Sequence, residues 1–140
     1  MKKLSIFIIE DDTFYAELLS DLVVGLSEKY EKKINISYRT FYSGDEATFE
    51  MDMKPDIVLL DYYILDDELE LKTADTLMTH IHETESKAQI IVVSGQKDEG
   101  VKNELLKKGA TAYVRKTADS IPVLESILCD LIDTRIEDEK

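Results

Sequence analysis

The sequence comprises 140 residues, of which 44% are apolar, and this length and composition fit one globular domain with a packed core. The formal net charge of −13, from 30 acidic and 17 basic residues, argues against nucleic-acid and anionic-membrane binding, since both depend on clustered basic side chains. No apolar stretch approaches the roughly 18 residues that span a bilayer, and the amino terminus lacks the pattern of a signal peptide. Cys129 is the only cysteine, so the sequence predicts a cytoplasmic protein without an internal disulfide.

Apolar spacing alternates between strand-like and helix-like segments five times along the chain. The predicted strands are 4–9, 34–38, 56–60, 89–93 and 111–114. The predicted helices are Phe14 to about 30, a short one opened by a capping box at Ser43, about 72–85, Asp98–Lys108, and one that begins at Ala118. The polar tail from about residue 134 is expected to fray. This alternation predicts one α/β domain over residues 1–140, with a doubly wound, five-stranded parallel sheet and helices on both faces.

Three of the predicted strands end in side chains suited to phosphate and metal chemistry. The first strand runs into Glu10, Asp11 and Asp12, the third into Asp61, and the fourth into Ser94. In open parallel sheets the ligand site lies just beyond the carboxyl ends of the strands. The sequence therefore predicts one functional site that combines acids and a hydroxyl from three strands.

These residues resemble the receiver domain of two-component response regulators, and the resemblance covers essentially the whole chain. The matching residues are the acidic pair Glu10-Asp11, the phosphoacceptor position Asp61, the Ser/Thr position Ser94, the Gly109-Ala110 pair before the fifth strand, and Lys116 after it. The resemblance implies the flavodoxin-like strand order 2-1-3-4-5. It also implies a protein that catalyses only its own phosphorylation and dephosphorylation.

Asp61 has the chemistry of a phosphoryl acceptor, since an aspartate can attack a phosphoryl group and form an acyl phosphate. Neighbouring carboxylates would repel the incoming phosphate unless cations are present, and Mg²⁺ suits a set of oxygen ligands. The resemblance implies that Asp11 and Asp61 bind Mg²⁺ directly, and that Glu10 binds it partly through water. It implies the backbone carbonyl of Tyr63 as a further ligand. Lys116 is expected to pair with Asp61 and later with the phosphoryl oxygens.

The resemblance further implies a switch in which Ser94 hydrogen-bonds the phosphoryl group and the Tyr113 ring changes rotamer. The alternative is that Tyr113 is an ordinary packing residue. The expected partners are a histidine kinase or histidine phosphotransfer protein as phosphoryl donor, and a downstream protein target. Because no output domain follows in the sequence, the chain resembles stand-alone regulators, either monomeric or dimeric on phosphorylation.

The sequence departs from the family pattern at two places beside the site. Lys116 is followed by Thr117 rather than by proline, so their bond is either trans with a shifted loop or cis at a cost of about 2.5–4 kcal/mol. The segment 62–70 contains neither proline nor glycine and is predicted to be a longer loop. Within it, Asp66-Asp67-Glu68 is either a solvated run or a partner-recognition segment, and a bulky Tyr63 would slow acyl-phosphate hydrolysis.

Two other functions are compatible with this fold class. A degenerate receiver that acts as a constitutive protein-interaction module would account for the altered residues beside Lys116 and Asp61. A flavodoxin-like electron carrier would share the fold and the acidity, but Glu10, Asp11 and Asp12 would repel a cofactor phosphate. Asp12 itself is either the N-cap of the first helix or a third metal ligand.

Overall fold

The computed structural model describes residues 1–65, 70–84, 87–95 and 99–138. Within these ranges the strands are β1 (Lys2–Ile9), β2 (Ile34–Phe41), β3 (Ile57–Asp61), β4 (Tyr63–Leu65), β5 (Leu71–Thr73), β6 (Gln89–Ser94) and β7 (Ala112–Arg115). The helices are α1 (Thr13–Lys29), α2 (Gly44–Phe49), α3 (Ala74–Thr84), α4 (Glu99–Lys107) and α5 (Ser120–Asp138), with a 3₁₀ turn at Met51–Met53. None of the described helices combines the length and apolar character needed to cross a membrane.

Five of the strands form one parallel sheet in the order β2-β1-β3-β6-β7. Counted within this sheet alone, the order is 2-1-3-4-5, so the predicted fold class and strand order are confirmed. Ile9 of β1 lies opposite Leu60 of β3, and Asp61 of β3 lies opposite Val93 of β6. Because the strands are parallel and in register, the residues that follow β1, β3 and β6 meet at the carboxyl edge of the sheet.

The sheet separates two apolar layers, because successive side chains of a strand point to opposite faces. In β1, Ile6 and Ile8 pack with α1 and α5, whereas Phe7 and Ile9 pack with α2, α3 and α4. These four side chains are at most 1% exposed, as expected of a central parallel strand covered on both faces. The apolar runs of the sequence are therefore the strands that carry the polar residues of the predicted site.

The helix predicted over about 72–85 begins later, at Ala74, because the residues before it form a strand. β4 and β5 pair in antiparallel orientation, with Tyr63 opposite Thr73, and form a separate two-stranded sheet. Strands of three residues are too short to show a period of two in the sequence, so the sequence predicts a loop over 62–70 and the start of a helix at about 72 instead. The run Asp66-Asp67-Glu68 lies outside the described residues.

Helix α5 continues to Asp138, beyond residue 134, where the sequence predicts a frayed tail. Its last turns make tertiary contacts that the polar sequence does not reveal. Arg135 Nη1 lies 2.9 Å from Asp56 Oδ1, and Lys2 Nζ donates a hydrogen bond of 2.7 Å to the Ile136 carbonyl. The Ile136 side chain also packs against the α1–α5 core layer. These contacts stabilise the end of the helix against fraying.

Candidate functional site

Three carboxylates meet at the carboxyl edge of the sheet, in the part of the chain that the structure describes. Glu10 and Asp11 follow β1, and Asp61 is the last residue of the neighbouring strand β3. Each offers an oxygen atom, and these atoms all lie within 4.8 Å of one another. Glu10 is inaccessible to solvent and Asp61 is 8% exposed, so water solvates their charges poorly. The structure thus brings together the side chains of three predicted metal ligands.

Lys116, which follows β7, brings a positive charge to this acidic cluster. Its Nζ lies 2.6 Å from Glu10 Oε1 and 3.3 Å from Asp61 Oδ1, and its side chain is 20% exposed. Glu10 Oε1 has no aligned hydrogen-bond partner among the described residues despite this short ion contact. The other oxygen, Glu10 Oε2, accepts a hydrogen bond of 3.2 Å from the backbone N–H of Asp12. Lys116 therefore contacts both buried acids, Glu10 more closely than Asp61.

Negative charge in the cluster exceeds the positive charge that Lys116 supplies. Burial, reinforced by the neighbouring Glu10, raises the pKa of Asp61 to about 8. Burial also lowers the pKa of Lys116, but the adjacent Glu10 and Asp61 outweigh this effect and leave that pKa above its usual value. The ionised form of Asp61 is thus unfavourable near neutral pH unless a further cation lies beside it.

Ser94 and Tyr113 lie on the adjacent strands β6 and β7. Ser94 ends β6 and is 1% exposed, and its backbone carbonyl accepts a hydrogen bond of 2.7 Å from the Lys116 N–H. Tyr113 lies opposite Val92 and packs, partly buried, against the core layer formed with α2, α3 and α4. Tyr113 is thus a packing residue in this conformation, and its rotamer switch stays a prediction.

The two departures from the family pattern have different structural outcomes. The described ranges contain no cis peptide bond, so the bond between Lys116 and Thr117 is trans, and Lys116 still reaches Asp61. After Asp61 the chain enters β4, where the Tyr63 ring packs edge-on against Tyr62 with 4.6 Å between ring centroids. Tyr63 therefore lies in a paired strand two residues after Asp61, and metal binding by its carbonyl stays a prediction.

Asp12 serves as the N-cap of α1. Its Oδ1 accepts hydrogen bonds from the backbone N–H groups of Phe14 and Tyr15, at 3.0 and 3.3 Å. The cap directs its carboxylate to the helix, and Asp12 does not belong to the group of carboxylates that lie within 4.8 Å. Of the two interpretations of Asp12, the helix cap agrees with these contacts.

Tyr15 lies beside the site although the sequence gives no signal for it. Its ring centroid lies 4.6 Å from Lys116 Nζ, and its hydroxyl shares a hydrogen bond of 2.8 Å with Ser120 Oγ. Tyr15 and Ser120 are 105 positions apart, so local sequence patterns cannot reveal this contact. Burial raises the pKa of the Tyr15 phenol above its usual value, which keeps the hydroxyl protonated at neutral pH.

Residues 6–128 match the response regulator receiver domain family. The matched range covers most of the chain and includes the acidic cluster together with Ser94 and Lys116. Among curated proteins, no match is found.

Solved receiver structures share the fold at low sequence identity. The chain is similar to a CheY-like response regulator receiver domain protein from Methanospirillum hungatei JF-1, with 18% identity, a TM-score of 0.72, and 99% of this chain and 100% of that chain covered. It is also similar to a chain of the CheX-CheY-BeF3-Mg+2 complex from Borrelia burgdorferi, with 23% identity, a TM-score of 0.70, and 91% and 89% covered. A third similar structure is a Burkholderia pseudomallei response regulator with a phosphorylated aspartic acid, calcium ion and citrate, with 18% identity, a TM-score of 0.68, and 96% and 72% covered. These likenesses establish the fold, and the family match over residues 6–128 establishes that the chain belongs to the response regulator receiver domains of two-component systems.

Proposed function

We propose that this receiver domain accepts a phosphoryl group on Asp61 from a histidine kinase or histidine phosphotransfer protein, in a magnesium-dependent reaction. It then signals to a downstream protein through a phosphorylation-dependent change at its binding surface. The observation that carries the proposal is the buried cluster of Glu10, Asp11 and Asp61 with Lys116 beside it. We further propose a cytoplasmic signalling role without separate enzymatic activity, in which the receiver is monomeric or becomes dimeric on phosphorylation.

The donor set of the acidic cluster fits Mg²⁺. This ion prefers oxygen ligands and is commonly held by one or two carboxylates together with water and substrate phosphate. Glu10 is buried with Lys116 as its close cation, and the pKa of Asp61 is raised, so both acids indicate a shortage of positive charge at the site. Asp11 and Asp61 would hold the ion, with support from Glu10 and the Tyr63 carbonyl. When bound, Mg²⁺ supplies the charge that lets a phosphoryl group approach three carboxylates.

Phosphoryl transfer requires Asp61 as an ionised nucleophile. One carboxylate oxygen of Asp61 forms a bond to phosphorus while the bond between phosphorus and the donor imidazole nitrogen breaks. The imidazole leaves with the electron pair of that bond and takes up a proton. Lys116 Nζ, 3.3 Å from Asp61 Oδ1, is placed to pair with the oxygens of the transferred group. Positioning and charge neutralisation are the main needs of such a transfer, and these residues supply both.

Ser94 and Tyr113 form the proposed switch. Ser94 lies at the end of β6, next in the sheet to the strand that carries Asp61. A hydrogen bond from its hydroxyl to a phosphoryl oxygen would draw the end of β6 toward Asp61. Tyr113, on the neighbouring strand β7, would then change rotamer and alter the protein-binding surface around it. The similar CheX-CheY-BeF3-Mg+2 structure supports protein binding as a use of this fold.

Acetyl phosphate with Mg²⁺ is expected to add one phosphoryl group to the protein, detected by intact-protein mass spectrometry. Asp61→Asn should abolish the adduct, because an amide does not act as the nucleophile in this step. Chelation of Mg²⁺ by EDTA should slow the reaction by roughly 100-fold or more. Asp21→Asn, on the exposed surface of α1, is the matched control and should react like the wild type. If the wild type forms no adduct with either acetyl phosphate or phosphoramidate, the constitutive interaction module becomes the better explanation.

Beryllofluoride with Mg²⁺, a mimic of the phosphoryl group, is expected to shift the amide NMR signals of Ser94 and Tyr113. Mg²⁺ alone should cause a much smaller shift, because the hydroxyl of Ser94 then has no phosphoryl oxygen to which it can donate a hydrogen bond. Asp61→Asn serves as the control and should not respond to beryllofluoride. Unchanged signals at both Ser94 and Tyr113 in the wild type would contradict the switch while leaving phosphorylation itself intact.

A further inference from the structure

Tyr15 joins three elements around the site. It lies in the first turn of α1, three residues after the Asp12 cap, and its ring lies against the Lys116 ammonium at 4.6 Å. Its hydroxyl shares a 2.8 Å hydrogen bond with Ser120, the first residue of α5, whose side chain is 2% exposed. Tyr15 thus connects α1 both to the lysine that follows β7 and to the start of α5.

Lys116 depends on side-chain contacts for its position. Its backbone is fixed by the hydrogen bond from its N–H to the Ser94 carbonyl, but four methylene groups separate that backbone from the ammonium. The side chain is only 20% exposed, so its attraction to an aromatic face is less screened by water than at the surface. The ring of Tyr15 is therefore placed to hold an otherwise flexible cation.

The two acids compete for Lys116. Glu10 Oε1 is 2.6 Å from the ammonium, whereas Asp61 Oδ1 is 3.3 Å away. On distance alone the lysine pairs more strongly with Glu10, although the reaction needs its charge beside Asp61. A third contact that limits the movement of the ammonium would keep it within reach of both acids.

We propose that Tyr15 is a positioning residue for Lys116: its ring holds the ammonium within reach of Asp61, and its hydroxyl fixes the ring through Ser120. This inference rests on the proposed function of Asp61 as phosphoacceptor. Loss of the ring leaves Lys116 with Glu10 and slows phosphoryl transfer to Asp61. Loss of the hydroxyl alone leaves the ring in place and has a smaller effect.

A matched pair at the opposite end of α1 provides the control. Lys29 Nζ lies 5.5 Å from the Tyr30 ring, and the Tyr30 hydroxyl donates a hydrogen bond of 2.9 Å to Asp133 of α5. Tyr30 thus makes the same kinds of contact between the same two helices, but at the C-terminal end of α1, away from Asp61. Substitutions at Tyr30 test whether any weakened contact between α1 and α5 slows phosphorylation.

The experiment measures the rate of phosphorylation by acetyl phosphate and Mg²⁺ with intact-protein mass spectrometry. Tyr15→Leu is expected to lower the rate about tenfold, and Tyr15→Phe, which keeps the ring, by no more than about threefold. Tyr30→Leu should leave the rate unchanged even though it removes packing. If Tyr15→Leu does not fold, Tyr15→Met replaces it, since methionine fills irregular spaces.

A second readout does not depend on phosphorylation. In the free protein, the ring current of Tyr15 should shift the ε-methylene proton signals of Lys116 upfield, and Tyr15→Leu should remove this shift while Tyr15→Phe retains it. A normal rate in Tyr15→Leu, or an equal loss in Tyr30→Leu, overturns the proposal. If the wild type takes up no phosphoryl group, the proposed function fails, whereas the Lys116 signals still decide whether Tyr15 positions the lysine.

Discussion

Lys116→Met is expected to destabilise the protein by about 3 kcal/mol near neutral pH, because breaking a buried ion pair leaves an uncompensated charge. The charge left behind is that of Glu10, which is inaccessible to solvent and pairs with Lys116 at 2.6 Å. The value lies at the low end for such pairs because the Lys116 side chain is 20% exposed. Urea unfolding of the wild type and the variant measures the difference in free energy of unfolding. The same variant should also lose most phosphorylation by acetyl phosphate.

Lys108→Met is the matched control for this substitution. Lys108 Nζ also contacts two carboxylates, Glu104 at 2.9 Å and Asp75 at 3.4 Å, but on the surface of the protein. Water and side-chain entropy offset most of the attraction in exposed pairs, so its loss should leave the urea midpoint unchanged within error. Equal destabilisation by the two substitutions would show that burial of the site does not strengthen the Lys116 contacts.

Asp61→Asn is expected to stabilise the metal-free protein by several kcal/mol above pH 8, since each unit of pKa shift corresponds to about 1.4 kcal/mol. The pKa of Asp61 is about 8 in the folded protein against 3.8 as the ordinary value, because burial and Glu10 disfavour its charged form. Between these values the folded state binds more protons than the unfolded state, so wild-type stability falls as the pH rises from about 4 to about 8. Asparagine carries no charge, so the stability of Asp61→Asn relative to the wild type should increase over the same pH interval.

Thermal unfolding at pH 5, 7 and 9 in the presence of EDTA measures this advantage. Asp21→Asn, which removes an exposed carboxylate from α1, controls for the change in net charge. Mg²⁺ should stabilise the wild type and narrow its difference from Asp61→Asn, because a ligand that binds only the folded state adds to stability. A variant that is less stable than the wild type at pH 9 would show that Asp61 is not under electrostatic strain.

The strands and their polar ends could be predicted because the signals are local. Short β-branched runs identify β1, β3 and β6, and parallel pairing then places Glu10, Asp61 and Ser94 at one edge. The α-helical ends are less well defined by local signals. The tail beyond residue 134 is polar in the sequence, but Arg135 pairs with Asp56 and Ile136 packs against the core, and only the folded chain provides these contacts.

The features that the sequence does not reveal depend on contacts between distant segments. The pairing of β4 with β5 involves strands of three residues, which carry no recognisable pattern. The contact of Tyr15 with Ser120 joins residues 105 positions apart. The sequence is compatible with either a cis or a trans peptide bond after Lys116. The bond is trans in the structure, and the lysine contacts both acids.

Helix α5 is attached to the rest of the protein near both of its ends. Ser120 bonds to Tyr15 at the carboxyl edge of the sheet, and Arg135 pairs with Asp56, which directly precedes β3 at the amino edge. The helix has 19 residues, so it spans about 28 Å as one continuous rod. A tilt of α5 that starts beside Lys116 would therefore also change the distance between Arg135 and Asp56 at the opposite edge. The phosphorylation proposed for Asp61 would thus act at one edge of the sheet, while the Arg135–Asp56 ion pair lies at the other edge, about one helix length away.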